Sequence, residues 1–326
     1  MGASTSEKLR RLLGLFCRED RLLILINADP DAMAGAMALK RLLWRRVSAT
    51  TIASINTITR PDNLAMIRLL KLDVVPTKEV DQGQFTRYAI IDSQPSHNEC
   101  FSDINFDIII DHHPDTGAKA PFMDIRPHYG AVSTIMTQYL RASKINPSAR
   151  LATALFYGIK TDTMNFQRKA IMEDVNAFQY LFRHINIHMA KKIEQAEITL
   201  DFLKYYRIAL ESKSVQKHRI HVHIGPVSNP DVCVSIADFF MKIHDIAWTF
   251  VSGIYKGRLI IIVRNDGIRK DAGKLLGQSL GQIGAAGGHK EMARAEIPLK
   301  NLEGIVQYQD RKALSRWIIR RLDERQ

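Results

Sequence analysis

The sequence predicts an α/β protein, and three observations support that class. Short runs of β-branched and other apolar residues alternate with amphipathic stretches over the first 160 residues or so, the pattern of strands that alternate with helices in a mainly parallel sheet. A second, mixed set of elements begins near Lys217. The length of 326 residues, with 46% hydrophobic content, suits two soluble domains. We therefore predict a doubly wound, mainly parallel N-terminal domain and a smaller mixed α/β C-terminal domain that faces it across a cleft.

The predicted domain boundaries follow from these patterns. Residues 1–186 form the N-terminal domain, which carries acidic motifs. Residues 187–212 read as a helical connector, and residues 213–326 form the second domain, with a Gly-rich loop and a basic tail.

The elements of the first domain can be assigned from hydrophobic periodicity. Predicted strands occupy 21–26, 49–55, 87–91 and 106–110, and predicted helices occupy 6–17, 31–44, 63–70, 129–140 and 149–157. The run Ile108-Ile109-Ile110 is the central buried strand, and Pro114 ends it.

Acids and imidazoles follow the buried runs of this domain. We expect strand ends to carry them, and they are Asp29, Asp31, Asp92, Asp111, His112, His113 and Asp162. Open α/β sheets bind their ligands at the carboxyl ends of strands. Each motif also has a plain structural interpretation, an N-cap or turn aspartate or a surface histidine, so the case for a metal site rests on their recurrence.

The second domain offers weaker signals. Residues 219–224 alternate like a half-buried strand, which places His221 and His223 on one face. We expect that face to meet solvent, with a ligand role as the alternative. Residues 284–290 form a Gly-rich loop that would let backbone amides approach a ligand. The helix predicted for 311–326 is basic; a solvated face is expected, and nucleic-acid contact is the alternative.

Composition restricts the class further. The net charge of +12 would attract a polyanion such as a nucleotide or an oligonucleotide. Three widely spaced cysteines indicate free thiols in a reducing compartment. The apolar runs are too short to span a bilayer, and the N-terminus has no apolar signal core. We therefore expect a cytoplasmic protein without a membrane partner, with a homodimer as a candidate assembly.

The order of the motifs resembles a known superfamily. Ala28-Asp29-Pro30-Asp31-Ala32, Asp92-Ser93, Asp111-His112-His113 and Thr161-Asp162 are similar to the four N-terminal motifs of the DHH phosphoesterases. Gly130-Ala-Val-Ser-Thr134 resembles the helix start that follows the Asp-His-His motif there. Arg264 with Gly287-Gly288-His289 resembles the DHH-associated C-terminal domain, and the two-domain layout looks most like the nanoRNase and phosphoadenosine-phosphate phosphatase group, which is related to RecJ.

This resemblance implies a dinuclear Mn²⁺ centre, with Mg²⁺ as the alternative metal and one or two ions bound. Asp29 would bind one ion and Asp31 the other; Asp92 would bridge them, and His112 and Asp162 would complete the second site. His113 would contact the scissile phosphate, and Asp111 would orient its neighbours. Arg264, Gly287, Gly288 and His289 would bind a phosphate or a terminal nucleotide.

One position departs from the family pattern. The histidine that usually precedes the first motif aspartate by four residues is Leu25 in this chain, and leucine cannot bind a metal. We expect a metal-dependent phosphoesterase, or nuclease, that acts on short oligonucleotides or small nucleotide phosphates through a metal-activated water. The alternatives are a phosphodiesterase for cyclic or linear dinucleotides, and a nucleotide-binding regulator with weakened catalysis.

Overall fold

The computed structural model describes residues 4–167, 170–195, 200–268 and 270–323. The chain divides into two compact units, Met1–Ala196 and Glu197–Gln326. In the described part of the chain, no helix has the length and apolar content needed to cross a membrane.

The described part of the first unit contains a six-stranded, wholly parallel sheet. Its strands are β1 Arg21–Ile26, β2 Ala49–Ser54, β3 Val74–Pro76, β4 Arg87–Ile91, β5 Ile108–Asp111 and β6 Phe122–Ile125. They lie in the order β3-β2-β1-β4-β5-β6. The direction of winding reverses between β1 and β4, and ligands of doubly wound sheets bind beside that switch point.

Helices and loops cover both faces of this sheet. The helices are α1 Thr5–Leu13, α2 Pro30–Leu42, α3 Pro61–Leu70, α4 Glu99–Ser102, α5 Val132–Ala142, α6 Ala149–Asp162, α7 Met172–Phe182 and α8 Ile187–Glu194. The larger core joins one sheet face to α2, α5 and α6, and a smaller core on the other face surrounds Leu23, Leu25, Ile90 and Ile109. Alternating strand residues supply the two faces because successive side chains point to opposite sides.

The second unit contains a mixed sheet. Its helices are α9 Leu203–Ser212, α10 Asp231–Phe240, α11 Ala272–Leu280 and α12 Arg311–Asp323, and its strands are β7 Ser214–Gln216, β8 Arg219–Pro226, β9 Trp248–Tyr255, β10 Arg258–Asn265, β11 Ala285–Gly288 and β12 Met292–Pro298. The strand order is β11-β12-β10-β9-β8-β7, with β8 and β9 parallel and the other neighbours antiparallel. Residues 187–212 are divided between the units: α8 packs on α3 and α6, and α9 packs on β8.

The predicted α/β class with a parallel sheet and a second mixed sheet is confirmed. Strands β7 and β12 of the second unit were not predicted, and neither were two short strands of the first unit, β3 and β6. With three and four residues, β3 and β6 are too short to show a clear alternation.

Two expectations for the second unit are wrong. His221 and His223 are 2% and 3% exposed, because α12 covers their side of the sheet. Arg311 of α12 donates hydrogen bonds to the carbonyl of His223 at 2.8 and 3.1 Å. The predicted Gly-rich loop is in part a strand, since β11 pairs with β12. The first error arises from a packing partner far away in the sequence, whereas the second arises from pairing with the next strand along the chain.

Candidate metal centre

The predicted acids and imidazoles of the first unit meet at the carboxyl edge of its sheet. Asp29 and Asp31 follow β1, Asp92 follows β4, and Asp111 is the last residue of β5. These three strands are neighbours in the sheet, so parallel pairing brings their carboxyl ends together. The same edge receives His112, His113 and Asp162.

Asp162 reaches this edge differently from the prediction. It is the last residue of α6, whereas the sequence suggested a strand end. The helix continues five residues beyond the predicted end at Tyr157, because its last turns pack into the core between α2 and α5. The side chain of Asp162 then lies 3.2 Å from Nε2 of His112.

His112 shows how the centre is organised. Its Nδ1 lies 3.1 Å from the carbonyl oxygen of Tyr129, and a carbonyl only accepts, so Nδ1 carries a proton. In the neutral ring Nε2 therefore presents a lone pair, which faces carboxylate oxygens of Asp92 at 3.3 Å and of Asp162 at 3.2 Å. A metal-binding histidine has this arrangement, with one nitrogen held by a backbone acceptor and the other directed at the ion.

The atoms that face each other have no other partner in the described chain. Nε2 of His112 and Oδ1 of Asp92 are buried and lack a partner with hydrogen-bond geometry among the described residues. Two lone pairs at this separation repel unless a proton or a cation lies between them. Ligand atoms of Asp31, His112 and Asp162 lie within 4.8 Å of one another, and the same is true of Asp92, His112 and His113. Carboxylate oxygens with one imidazole suit Mn²⁺ or Mg²⁺.

Asp92 is placed by an unusual backbone conformation. Its φ is +60°, in the left-handed region, which is uncommon for residues other than glycine. Its amide donates to the carbonyl of Ile110 at 2.9 Å and so extends the β4–β5 pairing by one step. The turn directs the carboxylate to the histidines, and such conformations concentrate at functional sites.

Asp31 lies at the junction of three helices. It is fully buried, and its carboxylate accepts hydrogen bonds from the amides of Val132 at 2.6 Å and Ser133 at 2.8 Å, at the start of α5. A carboxylate is stabilised there by the free amides and the helix dipole. A side chain on Gly158 of α6 would place its Cβ 2.4 Å from Oγ of Ser133 and 3.0 Å from Oδ1 of Asp31. Glycine is therefore required for α6 to pass at this distance.

The second histidine of the motif is oriented by Asp111. Asp111 is fully buried. Its Oδ1 accepts a hydrogen bond from Nδ1 of His113 at 2.8 Å, and its Oδ2 accepts one from the side-chain amide of Gln94 at 2.6 Å. The hydrogen bond and charge of His113 outweigh burial and lower the pKa of Asp111. The side chain of His113 is 39% exposed, so its Nε2 is directed away from Asp111 and is accessible to a ligand.

Sequence reasoning missed two residues of this neighbourhood. Gln94 bridges the loops after β4 and β5, since it donates to Asp111 and to the carbonyl of Pro114 and accepts from Thr116. His97 packs edge-on against His113 with ring centroids 5.4 Å apart. The backbone amide of Gln94 donates a hydrogen bond to Nδ1 of His97, so the proton of a neutral His97 is on Nε2. The sequence did contain a signal for these two residues, because the polar segment Gln94-Pro95-Ser96-His97 comes directly after the Asp92-Ser93 motif.

The clustered carboxylates perturb one another. Burial first, and then neighbouring charge, raises the pKa of Asp29 and of Asp31 to about 6. The same causes raise the pKa of Asp92 well above its ordinary value and raise the pKa of Asp162. Burial opposes the charged form of His112, but its interactions with the carboxylates of Asp162 and Asp92 raise its pKa to about 12. A bound cation would compensate this buried negative charge in place of the protons that the raised pKa values favour.

Asp29 and Leu25 bear on the first of the two predicted ion sites. Asp29 caps α2, accepting from the amide of Ala32 at 2.9 Å, and it is in none of the ligand groups formed by the described residues. Leu25 is fully buried in the smaller core, beside Ala53 and Ile90 in the sheet register. Leu25 therefore presents a hydrocarbon side chain, which has no atom that can bind a metal, near this edge of the sheet.

The predicted substrate-binding residues lie in the second unit. Nε of Arg264 donates to Asp238 at 2.7 Å. Gly287 and Gly288 belong to β11, and the carbonyl of His289 accepts from the amide of Gly273 at the start of α11. A Cβ on Gly273 would lie 2.3 Å from the carbonyl oxygen of Gly288. Helix α11 thus begins in direct contact with the Gly-Gly-His segment.

Comparison with known proteins found one curated relative and a solved structure with a similar fold. No protein-family profile matches the chain. An uncharacterised protein of Methanocaldococcus jannaschii is 38% identical over 300 residues, which are 91% of this chain and 61% of the relative. The chain therefore spans about three fifths of the length of the curated relative it matches.

Among solved structures, one is similar in fold and a second superposes only weakly. The crystal structure of an exopolyphosphatase-related protein from Bacteroides fragilis superposes with a TM-score of 0.71 at 14% identity, covering 91% of this chain and 94% of that chain. The two proteins share a fold. A pGpG-specific phosphodiesterase from Vibrio cholerae superposes with a TM-score of 0.44 at 11% identity, covering 87% of this chain and 96% of that chain; a likeness this weak supports no conclusion.

Proposed function

We propose that the chain is a DHH-type phosphoesterase that uses divalent cations, Mn²⁺ or Mg²⁺, to hydrolyse short oligonucleotides or small nucleotide phosphates. The observation that carries the proposal is His112, whose Nδ1 is held by a backbone carbonyl while its Nε2 faces buried carboxylates of Asp92 and Asp162. The motif order and a fold shared with an exopolyphosphatase-related protein agree with it.

The donor set defines which residues would hold the ions. Asp31, Asp92, His112 and Asp162 would form the stronger site, and Asp29 with Asp92 the weaker one. When bound, cations of this kind lower the pKa of a coordinated water and neutralise charge on a phosphate. The buried carboxylates would hold them rigidly, because Asp31 is fixed by two amides of α5.

The remaining residues of the edge would bind and orient the substrate. Asp111 holds Nδ1 of His113, so a protonated His113 ring would donate from Nε2 to an oxygen of the scissile phosphate. Gln94 fixes Asp111 from the other side and would keep the ring from turning. His113 is thus the proposed catalytic contact, and Asp111 and Gln94 are positioning residues.

In the second unit we propose that Arg264, Gly287, Gly288 and His289 bind a phosphate or a terminal nucleotide. The guanidinium of Arg264 uses Nε for Asp238 and Nη1 for the carbonyl of Val263, and a guanidinium has five donors. The Asp238 side chain is 52% exposed, so the pair is weak and can be exchanged for a phosphate at low cost.

The decisive experiment measures hydrolysis of a 5′-phosphorylated dinucleotide with and without Mn²⁺. We expect release of mononucleotide only with the cation, and Asp92→Asn should lose most of the activity and metal affinity while keeping the fold. Asp73→Asn, an exposed carboxylate on the same unit, is the matched control and should behave as the unmodified protein. Near-normal turnover of Asp92→Asn with the same Mn²⁺ dependence would refute the metal centre.

The substrate panel should include a cyclic dinucleotide, 3′-phosphoadenosine 5′-phosphate and inorganic polyphosphate. Preference for the cyclic dinucleotide would favour the dinucleotide phosphodiesterase alternative. Turnover of polyphosphate would instead favour an exopolyphosphatase activity, to which the name of the Bacteroides fragilis protein refers.

A second candidate function is a nucleotide-binding regulator with weakened catalysis. Leu25 favours it, because it leaves the first ion site without the usual histidine. This candidate predicts Mn²⁺-dependent nucleotide binding by calorimetry without release of mononucleotide.

A further inference from the structure

Trp44 is an unusually exposed aromatic residue. It lies directly after α2 and its side chain is 63% exposed, whereas the preceding Leu42 and Leu43 are buried. Single exposed apolar side chains are common on protein surfaces, and Trp44 stands out because it is the most exposed Phe, Tyr or Trp residue in the described part of the chain. The following residue, Arg45, has φ +64°, so the chain turns sharply at this point.

Exposed arginines flank this tryptophan in the sequence, and another lies at the same end of the sheet. Arg41 precedes it by three residues on α2, and Arg45 and Arg46 follow it. Ser48 hydrogen-bonds to the backbone carbonyls of Glu19 and Asp20, which brings the turn containing exposed Arg18 to the same end of the sheet. We call Arg18, Arg41, Trp44, Arg45 and Arg46 the Trp44 surface.

The surface carries an excess of positive charge, with four arginines against the exposed Glu19 beside Arg18. Across the described ranges, none of its four arginines forms an ion pair with a carboxylate. Asp20, the buried acid at this end, is engaged by Thr86, Cys17 and Arg87. The surface therefore presents guanidinium groups that can take up external anions.

The position of the Trp44 surface separates it from the metal centre. It lies where β1 and β2 begin, at Arg21 and Ala49, and the metal centre lies where β1 and its neighbours end. A strand of the length of β1 spans roughly 20 Å. The two sites therefore occupy opposite edges of one sheet and share no residue.

We propose that the Trp44 surface binds single-stranded nucleic acid. An exposed indole offers a face on which an unpaired base can stack, and flanking guanidinium groups bind phosphates and stack on bases. A protein partner would bury an apolar centre, but the side chains around Trp44 are charged, and the net charge of +12 favours a polyanion. The proposal goes beyond the phosphoesterase function, because it needs neither metal nor hydrolysis.

The test measures binding of a fluorescein-labelled oligouridylate by anisotropy in EDTA, so that the metal centre takes no part. Trp44→Ala should weaken binding about tenfold or more, the loss expected for one stacked base, and Trp44→Phe should recover most of it. The double variant Arg45→Gln/Arg46→Gln should reduce the slope of log affinity against log salt by roughly 1.4, since each phosphate contact on a single strand contributes about 0.7.

Matched controls make the outcome specific to this surface. Lys191→Gln/Lys192→Gln removes two neighbouring exposed charges from α8 of the same unit and should leave affinity and slope unchanged. A blunt duplex of equal length should compete poorly, because its bases are already stacked.

Three results would overturn the proposal: equal effects of the two double variants, unchanged binding by Trp44→Ala, or binding to anionic phospholipid vesicles without binding to the oligonucleotide. Dinucleotide hydrolysis should be unaffected by Trp44→Ala, so a failure of the proposed enzyme activity and a failure of this site are recorded by different assays.

Discussion

Replacing Leu25 by histidine should create a ligand at the first ion site. Position 25 is paired with Ile90 in the sheet register, and Asp92 comes two residues after Ile90, directly past the end of β4. Residues two apart on a strand lie on the same face, and the lateral strand spacing and rise per residue put a position two steps along the neighbouring strand roughly 8 Å away between Cα atoms. An imidazole at position 25 can therefore share an ion with Asp92.

The substitution also has a measurable cost without metal. Leu25 is fully buried, so its loss removes about 1.5–3 kcal/mol of hydrophobic stabilisation, and an unpaired imidazole adds about 1–3 kcal/mol. We expect the metal-free Leu25→His protein to be less stable by about 3–5 kcal/mol. Saturating Mn²⁺ should restore part of the lost stability, about 1.4 kcal/mol for each tenfold excess of free Mn²⁺ over its dissociation constant.

The assay pairs isothermal titration of Mn²⁺ with thermal unfolding. The unmodified protein should show one tight site and one weak site, and Leu25→His should raise weak-site affinity on the order of 10- to 100-fold. Leu23→His is the matched control, since Leu23 is equally buried in the same core but two residues further from the edge. The reasoning fails if Leu25→His keeps the unmodified stoichiometry, if both histidine variants respond alike to Mn²⁺, or if the unmodified protein already has two equally tight sites.

Three further outcomes are expected. Gly158→Ala should destabilise the protein by about 1–3 kcal/mol through overpacking, and it should lower Mn²⁺ affinity by displacing Asp31. Denaturant titration measures the stability and calorimetry the affinity. The control Gly277→Ala, whose Cβ would meet only a carbonyl oxygen at 3.7 Å, should be neutral or stabilising. Arg264→Ala or His289→Ala should raise the substrate KM without loss of bound Mn²⁺, and loss of the ion in either variant would contradict their assignment to substrate binding. The pKa of Asp31 is raised from 3.8 to about 6 in the folded state, so between these pH values the metal-free fold binds more protons than the unfolded chain. Its stability should therefore fall as pH rises through this window. Scanning calorimetry should show a Mn²⁺-induced rise in Tm that is larger at pH 7 than at pH 5, and a pH-independent rise would argue against carboxylate ligands.

The sequence was sufficient for most elements of the first unit. The strands at Arg21–Ile26 and Arg87–Ile91 have the bounds that their apolar runs predicted. Their burial on both faces makes the runs nearly continuous and easy to recognise. Acids placed directly after such runs had to meet at one edge once the strands were parallel, so the grouping of Asp29, Asp92 and Asp111 could be anticipated.

Contacts between distant parts of the chain could not be anticipated in the same way. His221 and His223 alternate as a solvent-facing pair would, yet α12, which begins at Arg311, buries them. Asp162 follows a helix whose length depends on packing against α2 and α5.

The sequence by itself determined the α/β class, the mainly parallel pairing of strands and the residues available at the sheet edge, because these depend on local periodicity and on the geometry of parallel pairing. Only the tertiary structure decided the orientation of those residues: Nδ1 of His112 is held by the carbonyl of Tyr129 and Asp31 by the amides of α5. It also left Trp44 and its arginines in solvent. Hydrogen bonds and burial of this kind join residues far apart in the chain, and a one-dimensional pattern does not record them.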